Sequence, residues 1–245
     1  MALEVGLIGL PNVGKSTLFN ALTHAGAAVA AYPFTTIEPN VGVVPVPDER
    51  LGHLQAIVQP ERVVPTTLRV VDIAGLVKGA SHGEGLGNQF LGHIRTVDAV
   101  AMVVRAFSDP DVPHVTTELD PRGDVETVDL ELILADLAAL ERREEKVRTQ
   151  AKGAKGGFDA ELAALAAVRA RLERGEGALA GEVPETERAL ASELGLLTAK
   201  PRLYVVNASE DDLPDGGAHA QACLLYTSDA ADDLLCVDLG GRRII

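Results

Sequence analysis

Residues 9–17, Gly9-Leu-Pro-Asn-Val-Gly-Lys-Ser-Thr17, set a lysine and a hydroxyl directly behind a glycine turn, at the spacing G-x-x-x-x-G-K-[ST]. That arrangement does one kind of chemistry, the capture of phosphates. Backbone N–H groups from Asn12, Val13, Gly14, Lys15, Ser16 and Thr17 can converge on an anion, helped by the positive end of a helix dipole. Lys15 has the reach for β- and γ-phosphates, and the Ser16 hydroxyl suits Mg²⁺. The flanking residues supply the elements such a cradle needs. Glu4-Val-Gly-Leu-Ile8 reads as a short buried strand, and Ser16-Thr-Leu-Phe-Asn-Ala-Leu22 has helical spacing of apolar residues. Strand, glycine turn and helix start together predict nucleotide binding with Mg²⁺ as cofactor.

Further positions fit the same chemistry. Thr66 to Gly75 reads as a strand running into Asp72-Ile-Ala-Gly75. An Asp in that place supports Mg²⁺ through a water, and the Gly75 N–H can meet the γ-phosphate. Tyr32-Pro-Phe-Thr-Thr-Ile-Glu-Pro-Asn40 carries two prolines and is a loop. Thr35 and Thr36 can each give a hydroxyl to the metal there, and Thr36 is favoured. Val77 to Asn88 is dense in glycine and reads as a second switch. Two more buried strands follow, Val97 to Arg105 and Pro201 to Glu210. The second ends in Asn207-Ala-Ser-Glu210, where guanine-binding proteins carry N-K-x-D. With Ala208 for Lys and Glu210 for Asp, the base contact is altered. A misfitted contact of that kind costs about 1–3 kcal/mol, up to ~100-fold in base preference.

The whole composition narrows the class. The chain has 245 residues, 47% of them apolar but only 3% aromatic. Its core must be Val, Leu, Ile and Ala, which suits a parallel sheet covered by helices. A net charge of −14 argues against coating nucleic acid by bulk electrostatics, so DNA is not an expected partner. No apolar run approaches the ~20 residues of a membrane span, the first strand begins almost at Met1, and only two cysteines are present. No membrane partner is expected, and the expected location is cytoplasmic.

Taken together, Gly9–Thr17, Tyr32–Asp48, Asp72–Asn88 and Asn207-x-x-Glu210 resemble the YchF family of Obg-like ATPases, over roughly residues 1–215. The resemblance implies a P-loop NTPase that binds ribosomes and accepts ATP at least as readily as GTP. It also implies a role for His114, in the loop after the Val97–Arg105 strand. Leu76 stands where Ras-like enzymes carry a glutamine that orients the attacking water, so unassisted hydrolysis should be slow, ~10⁻² s⁻¹ or less. A neutral His114 imidazole can orient that water or move a proton; a plain loop histidine is the competing reading, and His82 is a weaker candidate. Two other functions stay open: a guanine-specific GTPase of the Obg class, and a nucleotide-dependent binding module that does not hydrolyse.

The expected fold is α/β: a mostly parallel sheet flanked by helices, plus an inserted antiparallel α-helical hairpin. Val128, Leu130, Leu132, Ile133, Leu134, Leu137 and Leu140 have helical spacing, Ala151 to Gly157 breaks it, and Phe158 to Leu172 resumes it. Arg142, Arg143, Lys146, Arg148, Lys152 and Lys155 gather near the tip, where they can meet ribosomal RNA phosphates or stand as a solvated face. The expected division is a nucleotide domain at 1–127 and 199–222, incomplete at its C-terminal side, an arm at 128–198, and a non-native tail at 223–245. That tail resembles the translation of a sequencing-library adapter.

Overall fold

A computed structural model describes residues 2–23, 40–75, 86–113, 119–152, 157–212 and 216–221, with the side chains of 86–88 outside the description. Thr35, Thr36, Leu76, His82, His114, Lys155 and the 223–245 tail lie outside the described residues.

Five strands form one sheet in the order β2-β3-β1-β4-β5. They are β1 (Leu3–Ile8), β2 (Asn40–Pro45), β3 (Thr67–Asp72), β4 (Ala99–Ala106) and β5 (Arg202–Ala208). β1, β3, β4 and β5 are parallel; β2 alone runs antiparallel, against β3. The centre is as apolar as a sheet covered on both faces requires: every residue of β4 from Val100 to Ala106 is buried. The parallel register sets the ends of β1, β3, β4 and β5 side by side, with Leu7 opposite Asp72 and Arg105 opposite Asn207. Ligand chemistry in such sheets gathers at these C-terminal strand ends.

Helix α1 (Lys15–Leu22) follows β1, and α2 (Glu49–Val58) bridges β2 and β3. α3 (Leu86–Thr96) precedes β4, and α4 (Pro121–Ala151) follows it. α4 serves two cores. Its first half adds Val125, Val128, Leu132 and Ala135 to the sheet core beside Ile8, Met102 and Val104. Its second half adds Leu140 and Val147 to a separate cluster with Leu165, Val168 and Leu172 of α5 (Asp159–Glu173) and Leu190 of α6 (Glu185–Leu194). Arg143 of α4 ties the three helices, pairing with Glu161 of α5 at 2.6 Å and Glu193 of α6 at 3.0 Å. Arg148 pairs with Glu144. Two of the basic residues expected near the tip are therefore charge-balanced, while Arg142, Lys146 and Lys152 are exposed.

α2 stands apart. Asp48 caps it, accepting from the Arg50 N–H at 3.0 Å, yet the helix buries no residue. Beside it a hollow of about 660 Å³ is lined by Val46, Pro47, Leu51, Val64 and Thr66, away from the phosphate-loop side of the sheet.

Candidate nucleotide site

The phosphate loop is held in shape by close approaches that only glycine permits. Gly9 has φ +142°, and a Cβ there would lie 2.4 Å from the Val103 carbonyl oxygen of β4. Gly14 has φ +100°, and its Cβ would lie 2.4 Å from Asn207 Nδ2. Asn12 adopts the left-handed region at φ +60°, which asparagine tolerates better than most residues. α1 then starts at Lys15 with Gly14 as its cap residue and no side-chain cap, so its first N–H groups keep their capacity for an anion.

Each described candidate residue can be placed. Lys15 is 8% exposed, and its Nζ donates to the carbonyls of Gly9 at 3.0 Å and Leu10 at 2.7 Å. Burial pulls its pKa down to about 8, against the opposing attraction of the Asp72 charge. The Ser16 hydroxyl donates to Asp72 Oδ2 at 2.8 Å. Gly75 lies against the loop, where a Cβ would come within 3.1 Å of Pro11 N and 3.2 Å of Lys15 Nζ. The Asp72–Gly75 turn and the phosphate loop are thus one surface.

Asn207, at the exit of β5, donates from Nδ2 to the Val13 carbonyl at 3.0 Å. Ala208 closes the strand, and Glu210 is exposed in the 3-10 turn Glu210–Asp212. Thr17, on α1, is exposed. A further anchor was not anticipated. Asn12 Nδ2 donates to the Pro113 carbonyl at 3.0 Å, in the loop after β4. The sequence carries no signal for it, because the acceptor is a main-chain carbonyl.

The donor set fits Mg²⁺. Ser16 Oγ and the Asp72 carboxylate are two hard oxygens in contact. Among the described residues no group of three or more His, Cys, Asp or Glu side chains could cage a metal. A small cation held by one hydroxyl, one carboxylate, water and phosphate oxygens needs no such cage. No described helix is long and apolar enough to cross a membrane.

Known proteins carry the same pattern. The family described as "50S ribosome-binding GTPase" matches residues 4–133. The Bacillus subtilis (strain 168) "Ribosome-binding ATPase YchF" is 53% identical over 88% of this chain and 59% of its own length. The Escherichia coli O157:H7 protein of the same name is 50% identical over 86% of this chain and 58% of its own length. The chain therefore spans somewhat over half the length of these relatives. The structure titled "Structure of the Schizosaccharomyces pombe YchF GTPase" aligns with TM-score 0.75 at 38% identity, covering 94% of this chain and 63% of that one.

Proposed function

Because the chain belongs to the YchF family of P-loop proteins, we propose that it binds ATP and GTP with Mg²⁺, hydrolyses them slowly, and acts as a ribosome-associated switch in the cytoplasm. The observation that carries this reading is the Ser16–Asp72 contact at 2.8 Å beside the buried Lys15 amine. Phosphate cradle, cation and metal oxygens then meet at one point, as triphosphate chemistry requires. Lys15 and the N–H groups of Asn12 to Thr17 hold phosphates. Ser16 and Thr36 ligate Mg²⁺, with Thr35 the neighbouring alternative, and Asp72 supports the ion. Gly75 offers its N–H to the γ-phosphate. Asn207, Ala208 and Glu210 form the base side, and His114 orients the attacking water in place of the absent glutamine. Ribosomal RNA or protein meets the arm of residues 128–198, or the further length that the relatives possess.

The first experiment is titration of the purified chain with fluorescent ATP and GTP analogues, with Mg²⁺ and with EDTA, beside Lys15→Ala. ATP binding equal to or tighter than GTP, lost in the variant, supports the proposal. A strong GTP preference moves the protein to the guanine-specific class. Tight binding without turnover, even with ribosomes added, makes it a non-hydrolysing module. Replacing His114 with Ala should lower turnover and leave affinity intact; unchanged turnover removes it from the mechanism.

A further inference from the structure

Arg105 is the penultimate residue of β4 and is buried, at 3% exposure. Among the described residues no carboxylate pairs with it. Its charge is taken instead by main-chain carbonyls of the loop that follows: Nε donates to Phe107 at 3.1 Å, Nη1 to Val112 at 3.0 Å and Nη2 to Asp109 at 3.4 Å. The guanidinium plane lies over the Phe107 ring, 4.4 Å from its centre. A planar guanidinium with five donors in a fixed fork holds carbonyls spread along a loop in one geometry, which a compact ammonium on a flexible stem does not reproduce. Residues 107–113 are therefore folded around one side chain. That loop ends at Pro113, whose carbonyl accepts from Asn12 Nδ2.

The register makes a second point. Arg105 lies opposite Asn207 across the β4–β5 pair. Asn207 fixes the Val13 carbonyl directly, and Arg105 fixes Asn12 through Pro113. Consecutive residues of the phosphate loop are thus pinned from consecutive strands. We infer that Arg105 is a positioning residue for phosphate binding, holding Asn12 in its left-handed conformation by way of the 107–113 loop. The inference rests on the nucleotide reading above for its functional consequence, while its structural half stands alone.

Two variants test it from opposite ends. Asn12→Gly keeps the freedom to adopt positive φ and removes the amide. Arg105→Lys keeps the charge and loses the fork. Each should weaken Mg²⁺–triphosphate affinity about tenfold, and the double variant should also lose about tenfold rather than a hundredfold, because both cut one link. Multiplying effects, or an unchanged affinity in Asn12→Gly, would overturn the inference.

Amide hydrogen exchange on the nucleotide-free chain gives an independent readout. Arg105→Lys should raise exchange in 9–14 as well as in 107–113. Asn12→Gly, with Arg105 intact, should raise it in 107–113. Exchange confined to each variant's own segment would sink the coupling. If the wild type binds neither nucleotide, the functional reading fails, and exchange still decides whether the link exists.

Discussion

Lys15 carries a positive charge in a place that disfavours one. Burial draws its pKa to about 8, and the nearby Asp72 carboxylate recovers only part of the loss. An unfolded lysine titrates near 10.4. Between about pH 8 and about pH 10.4 the unfolded chain holds a proton that the folded chain has released, so stability rises with pH across that window. The penalty is fully present below pH 8 and is relieved above it. In metal-free protein, urea unfolding at pH 7.5 and 9.5 should show this increment in the wild type and not in Lys15→Met. Its full size is on the order of 3 kcal/mol. A bound phosphate restores the proton, so triphosphate affinity should fall roughly tenfold per pH unit above 8. Calorimetry in buffers of differing ionisation enthalpy should register proton uptake there. Gly14→Ala belongs to the same scale: its Cβ would displace the Asn207 amide, and binding should fall at least a hundredfold with the fold retained. Asp72 and the phosphate loop could be read from residue types and spacing because few other chemistries use them. Arg105 could not, since its partners are main-chain carbonyls that have no letter in a sequence.

Among the elements, α4 is the hinge between two packing problems. Asp136, fully buried at its midpoint, accepts from the Leu197 N–H at 2.8 Å, the Thr198 N–H at 2.9 Å and the Thr198 hydroxyl at 2.8 Å. Desolvation raises its pKa despite those three donors, so the bonds only partly offset the burial of the carboxylate. Asp136→Ala strands three donors and should cost about 3 kcal/mol, a fall of roughly 6–12 °C in Tm by calorimetry. An unchanged Tm would mean that the 3-10 turn Leu197–Ala199 holds itself. Strands β1, β3, β4 and β5 stood out in the sequence as apolar runs ended by polar or glycine residues. α2 did not, because a helix that buries nothing has no reason to space its apolar residues toward a core. The start of α4 at Pro121 was also missed. Its signal was an Asp120 cap, accepting from the Gly123 N–H, with proline in the first turn.

At the scale of the molecule, the surface is uneven. Leu54 and Ile57 on α2 are 55% and 79% exposed, with Val58 and Val64 between those values. Ile57→Asp should leave Tm within ~2 °C and reduce the fluorescence of an apolar dye bound to the native chain. Equal fluorescence would place the dye elsewhere. A different consequence follows from the bond between Asn207 and Val13, which joins residues 194 apart. Chains emerge from the N-terminus at about 5–20 residues per second, so the loop waits roughly 10–40 s for its partner. Meanwhile β4 has one neighbour in place, β1, and an open edge on the other side until β5 arrives. The nascent chain thus fixes its helices by local contacts while its long-range pairing is still outstanding. Fragments ending before Arg202 should be insoluble, and the machinery for holding phosphate becomes complete only as the last described strand is added.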